Sequence, residues 1–179
     1  MDVNMPSYIT QDNDTDPYLP PSADHELQRQ VTSLVCYLWD NYIQMYEATD
    51  IFLLGVGEAY VGVKMLLINR DCRARIAGVV NFVTGSLKPV KSDVDPGLSG
   101  WYRDNSRVYL TGDHAAWADP DLTRRVQKRR FGSVVKSPTT GLTRMMAQHA
   151  GEAQEWIMDR VTTGTGDEGG EGDTTEDET

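Results

Sequence analysis

At 179 residues, 39% hydrophobic and 25% charged, the chain has the makings of one ordinary globular core, and no apolar run reaches the length that would cross a membrane. Its net charge of −10 is lopsided: from Thr162 onward there are seven acidic residues and no basic ones, against 20 acids and 17 bases in the rest. That acidity argues against direct nucleic-acid binding, and Cys36 and Cys72 show neither metal nor redox spacing, which points to reduced thiols in a cytosolic or nuclear setting.

Asp2-Val3-Asn4 reads as the last residues of a strand whose beginning is absent, and residues 6–21, polar and rich in turn formers, read as a surface loop. A helix capped near Ser22 or Asp24 is expected next. Leu27, Val31, Leu34, Val35, Leu38, Trp39, Tyr42, Ile43 and Tyr46 recur at three-and-four spacing, so the whole stripe, aromatic residues included, is expected in the core.

The next stretch organises the chain. Ile51 to Leu54 form a continuous apolar run, as in a strand buried on both faces, and Tyr60, Val61, Lys64, Met65 and Ile68 then recur at helical spacing. Gly55 and Gly57 stand at the bend between them. As a dinucleotide-binding loop the elbow is incomplete, because Tyr60 occupies the place of the third glycine and Asn81 and Phe82 stand where an acidic residue for a ribose belongs. As the nucleophile elbow of a hydrolase, Gly55-Val-Gly-Glu-Ala59 keeps the first glycine and has the small Ala59 in place of the last, but Gly57 replaces the serine. The remaining reading is a glycine-tightened strand-to-helix connection without chemistry, and it is the one favoured.

Beyond a charged turn at residues 71–75, Ile76 to Val83 read as a second buried strand, and the repeated strand-helix-strand order predicts parallel pairing. Residues 84–106 form a long excursion with Leu98, Trp101 and Tyr102 on a short helix, the kind of segment where an enzyme places its site. A third strand begins at Val108 and ends in Gly112-Asp113-His114, a basic helix spans residues 121–130, a fourth strand spans residues 131–135, and an amphipathic helix over residues 142–161 closes the domain. Asp113 could supply a hydrolase's acid, yet residues 137–141 carry no histidine, and His149 lies two turns into the closing helix. Asp113 with His114 lacks a third metal ligand. The run Arg124, Arg125, Lys128, Arg129 and Arg130 fits either a solvated helix face or a contact for an acidic partner, and it lacks the interleaved aromatics of a single-strand nucleic-acid groove. Residues 162–179 read as a disordered acidic tail, either a solvating end or a contact for basic partners.

Taken together, residues 51–62, the strand Gly78-Val-Val-Asn-Phe-Val-Thr-Gly85, Pro89-Val-Lys-Ser-Asp93 with Trp101-Tyr102, Gly112-Asp-His114 and Lys128-Arg-Arg-Phe-Gly132 resemble the Arb-two (argonaute-binding protein two) domain at the C-terminus of fungal class II histone deacetylases. The resemblance runs from about Asp2 to Met158 and implies a degenerate α/β-hydrolase-like fold that has lost its catalytic residues, in line with Gly57 at the nucleophile position. It further implies a nuclear role in chromatin silencing through dimerisation, subunit assembly and histone contact.

The expectation is therefore an α/β domain over residues 1–161, truncated at its start. It has a mainly parallel sheet with helices on both faces and the strand of the elbow central. No catalytic residue, cofactor or metal is expected, the elbow residues Gly55, Gly57 and Ala59 being degenerate. Partner contacts are assigned to Leu98, Trp101 and Tyr102, with Trp101 as the apolar anchor, and to the five basic residues from Arg124 to Arg130. The partners implied are histones, other deacetylase-complex subunits and a second copy of the chain. A small hydrolase with a non-standard nucleophile is the alternative, with Ser86, Ser92, Asp113 and His114 as the residues to replace.

Overall fold

The computed structural model describes residue 1 and residues 22–48 and 50–164. The expectations for residues 2–4 and 6–21, and for the acidic tail beyond Gly164, lie outside the described residues. Helix α1 (Ser22–Leu38) leads through a π-helical turn at Trp39–Ile43 to strand β1 (Ile51–Val56). The order continues α2 (Ala59–Asn69), β2 (Ile76–Val83), α3 (Leu98–Asn105), β3 (Ser106–Leu110), α4 (Pro120–Gln127), β4 (Ser133–Lys136) and α5 (Leu142–Gly164). The four strands form one sheet in the order β1-β2-β3-β4, every neighbouring pair parallel.

Alternation along the central strands divides the core between the two faces of the sheet. On one face Val79 joins Val31, Val35 and Trp39 of α1, Met65 and Leu66 of α2 and Leu98 and Tyr102 of α3. Farther along that face Val83, Val108 and Leu110 pack against Tyr60 and against Leu122 and Val126 of α4. On the opposite face Val80, Phe82 and Tyr109 are covered by α5 through Met145, Ala153 and Trp156. Phe82 and Tyr109 are register partners on β2 and β3, and their rings stack with centroids 4.8 Å apart. The parallel sheet with helices on both faces is thus the architecture that the sequence predicts.

Three expectations are corrected. Among the described residues β1 is an edge strand, because each crossover lays the next strand on the same side of the last; its Leu54 is 60% exposed, unlike a strand buried on both faces. The apolar stripe of α1 also does not hold to its end. Val31, Val35 and Trp39 are buried, whereas Tyr42 and Tyr46 are exposed, because the wider turn at residues 39–43, closed by the Gln44 N–H on the Trp39 carbonyl at 2.8 Å, takes the chain out of the 3.6-residue period. The turn is fixed by Arg70 at the end of α2, whose Nε and Nη2 donate to the two carboxylate oxygens of Asp40 at 2.7 and 2.6 Å. Finally, Leu98 and Tyr102 lie in the core, completely and almost completely buried.

Candidate functional site

The carboxyl ends of the strands are where a parallel sheet presents chemistry, and the elbow lies there. Gly57 follows β1 directly with φ +59°, and its N–H donates to the carbonyl of Phe82 at 2.8 Å. This left-handed conformation is the one a nucleophile elbow uses, and glycine adopts it without steric cost. A Cβ built on Gly57 would meet only Leu142 Cδ2, at 3.5 Å. Among the described residues, the group within 4 Å of a side chain at this position is therefore apolar, from the first turn of α5.

Gly55, one turn of the bend earlier, answers to a different constraint. A Cβ there would overlap Asn81 Oδ1 and stand 2.8 Å from the backbone Cα of Tyr60. The close approach of strand and helix is thus bought by glycine at residue 55, and left-handed geometry by glycine at residue 57. Beneath them Asn81 is buried and its Nδ2 donates to the Tyr102 hydroxyl at 2.9 Å. Burial drives the Tyr102 hydroxyl well above the ordinary phenol range, so it stays protonated.

His114 is buried and both ring nitrogens are engaged. The Ala116 N–H donates to Nδ1 at 3.0 Å, which makes Nδ1 the acceptor and places the ring proton on Nε2, 2.7 Å from the carbonyl of Gly85. The ring ties the loop after β3 to the loop after β2, while the neighbouring Asp113 is exposed. The Tyr60 hydroxyl donates to the Ser86 carbonyl in the same loop. Burial pushes that hydroxyl up to about 12. The exits of β3 and β4 are joined as well, by Gly112 N–H on the Thr139 carbonyl at 2.9 Å and Ser137 N–H on the Leu110 carbonyl at 2.8 Å. These hydrogen bonds link the loops at the carboxyl ends of the strands to one another. Ser86 is exposed, and Ser92 Oγ accepts from the Asp95 N–H at 3.2 Å. Among the described residues no three His, Cys, Asp or Glu side chains converge as metal ligands.

The partner-contact candidates separate into two groups. Leu98 and Tyr102 cannot present apolar surface, being part of the core under the sheet, and Trp101 is partly buried against that same cluster. Arg124, Arg125, Lys128, Arg129 and Arg130 are all exposed. Arg124 lies 3.8 Å from Asp121, and Arg129 donates to the Arg103 carbonyl at 3.1 Å. Two features escaped the sequence. The Asn81–Tyr102 pair joins residues 21 apart, and a basic groove gathers Arg29, Lys64, Lys88 and Lys91 from three segments. Lys64 on an otherwise apolar helix was the only local sign of the groove.

The Arb2-like domain model matches residues 1–164. Histone deacetylase HDA1 of Saccharomyces cerevisiae is 35% identical over 128 residues, which cover 70% of this chain and 18% of that protein. Histone deacetylase clr3 of Schizosaccharomyces pombe is 28% identical over 159 residues, covering 88% of this chain and 21% of that one. The chain thus spans about a fifth of the length of these curated relatives. Among solved structures, a histone deacetylase from Saccharomyces cerevisiae superposes with a TM-score of 0.66 at 32% identity, over 79% of this chain and 55% of that chain. The histone deacetylase Clr3 gives 0.67 at 28% identity, over 76% of this chain and 22% of that one.

Proposed function

The chain belongs to the Arb2-like domain family, and from that membership we propose that it is the non-catalytic protein-interaction part of a fungal class II histone deacetylase. In this reading it serves dimerisation, subunit assembly and histone contact in chromatin silencing, in the nucleus. The observation that carries the non-catalytic part is the elbow. Its backbone keeps the left-handed turn of a hydrolase, its nucleophile position is Gly57, and the atom facing that position belongs to Leu142.

Surface chemistry supports an interaction role. Tyr37, Tyr42, Met45 and Tyr46 expose between 49% and 73% of their surface within ten residues, and tyrosine and methionine are the residue types that protein interfaces favour. The basic face of α4 suits acidic patches of deacetylase-complex subunits, while histones, being basic, require carboxylates such as those of the tail. Self-association rests in this scheme on apolar anchors, with the exposed Tyr42 and Tyr46 taking the place assigned from the sequence to the buried Leu98 and Tyr102.

The test pairs sedimentation with a histone pull-down and a fluorogenic ester assay on the full chain, on Tyr42→Ser/Tyr46→Ser, and on a chain ending at residue 161. The proposal expects no ester turnover, a lower sedimentation coefficient for the tyrosine variant, and weaker, salt-dependent histone capture without the tail. Turnover that survives purification and is abolished by replacing Ser86, Ser92, Asp113 or His114 would establish the hydrolase alternative instead.

A further inference from the structure

The groove between α1, α2 and the loop after β2 has the charge opposite to the rest of the chain. Its volume is about 900 Å³, at the upper end of the roughly 300–1,000 Å³ usual for small-molecule sites. Arg29 comes from α1, Lys64 from α2, and Lys88 and Lys91 from the loop, while Thr32 and Ser33 add hydroxyls. Among the described residues that line it none is acidic, although acids outnumber bases by 27 to 17 in the whole sequence.

Such a grouping is unfavourable when empty. Lys64 is half-buried, and burial first, then the charge of Lys88, lowers the pKa of its ammonium from the ordinary lysine value. Among the described residues no carboxylate pairs with Lys64, Lys88 or Lys91. Three partly buried arginines are answered by carboxylates, Arg70 by Asp40, Arg73 by Asp95, and Arg107 by Glu152. Lys64 is as removed from water as these arginines, yet among the described residues neither it nor the two lysines beside it has a carboxylate, which leaves room for an anion that binds.

We propose that this groove is a binding site for a small molecule carrying several adjacent phosphate groups. Lysine ammoniums are compact point charges with rotatable donors, suited to phosphate oxygens presented from varied directions. Three of them from two segments match more than one phosphate. Met65 and Ile68, which also line the groove, give the rest of the ligand an apolar wall. The site is separate from the elbow and from the basic face of α4, and it stands whether or not the chain contacts histones.

Isothermal titration of the full chain with sodium tripolyphosphate, at low and at moderate salt, tests it. The expected result is one site per chain, weakened at least tenfold in Lys64→Gln/Lys88→Gln, restored in Lys64→Arg/Lys88→Arg, and unmoved in Arg124→Gln/Arg125→Gln. Thermal melts establish that each variant is folded. Should the glutamine pair fail to fold, Lys91→Gln and an NMR titration of the wild-type Lys64 ammonium take its place, binding being expected to raise the Lys64 pKa. ATP serves as the second ligand: tighter binding than tripolyphosphate assigns the apolar wall to a base, equal binding assigns the site to the phosphates alone, and both uphold it. Equal weakening in the lysine and arginine variants, or several weak sites lost together with salt, would overturn the proposal. So would binding of a peptide of residues 165–179 where tripolyphosphate does not bind.

Discussion

Replacing the two elbow glycines separately by alanine separates packing from backbone conformation. In Gly55→Ala the new Cβ overlaps Asn81 Oδ1 and lies 2.8 Å from the Cα of Tyr60. Asn81 is buried and tied to Tyr102, and the Tyr60 Cα belongs to the first turn of α2, so neither neighbour yields cheaply. Overpacking of this kind costs about 1–3 kcal/mol, and a backbone clash places it at the upper end. In Gly57→Ala the space is open, with Leu142 Cδ2 at 3.5 Å, and the cost is that of a side chain at φ +59°, about 1 kcal/mol. For a chain of this size, about 2–4 °C per kcal/mol translates these into a fall of roughly 6–12 °C for Gly55→Ala and a few degrees for Gly57→Ala. Urea midpoints at constant m-value measure both. An alanine at residue 57 as costly as one at residue 55, or a Gly55→Ala loss below about 1 kcal/mol, would refute the division of labour between the two glycines.

Tyr102→Phe removes the acceptor of a buried amide and is expected to cost about 1–3 kcal/mol in urea unfolding; a loss under about 0.5 kcal/mol would mean that the Asn81 amide has another partner. Burial alone would raise the Glu152 carboxyl, but hydrogen bonds from His149 and Arg107 outweigh it and hold the carboxyl below its ordinary value of 4.5. Its stabilising contribution is therefore present above pH 4.5 and lost as the pH falls through the lower folded value, so Glu152→Gln should destabilise by up to about 1 kcal/mol at pH 7, its side chain being over a third exposed, and by less in acid. Burial pushes the Cys72 thiol up to about 12 from 9.0, so native protein should react slowly with a thiol reagent at pH 8. The same shift makes stability complete below pH 9 and declining as the pH rises from there toward 12, because the unfolded thiol ionises first. Rapid labelling of Cys72 in native protein would contradict its burial.

Strand β2 was legible to its ends because Ile76 to Val83 is buried on both faces, and a strand of that kind is apolar throughout. The same apolar signature misled for β1. Ile51 to Leu54 reads like β2, yet among the described residues β1 is the edge, and lateral order in a parallel sheet follows from which way successive crossovers step, a choice no residue in the strand records. From Val31 onward the stripe of α1 failed only past Trp39, where the change of helical period is a tertiary event anchored by the Arg70–Asp40 pair, 30 residues apart. Leu98 and Tyr102 were misassigned to a partner because an apolar residue in a turn-rich excursion carries the same letter whether its own core or another chain covers it. The strand-to-helix turn could be read because it is local: the residues from Gly55 to Ala59 hold the end of β1, the bend and the start of α2.

The exits of the strands are tied together at the carboxyl end of this sheet. In a hydrolase the histidine after the last strand must reach the elbow, which keeps the loops above the sheet apart. Here Leu142 Cδ2 borders the position over Gly57, His114 is committed through both nitrogens to Gly85 and Ala116, and the exits of β3 and β4 are joined by main-chain hydrogen bonds. Each of the hydrogen bonds satisfies a polar group at the strand exits and so favours stability. On the proposed non-catalytic reading, functional surface comes from elsewhere on the fold. The described residues offer it as exposed tyrosines after α1, the cationic face of α4 and the lysine-lined groove beside α2, three regions whose chemistry suits binding and needs no reacting side chain.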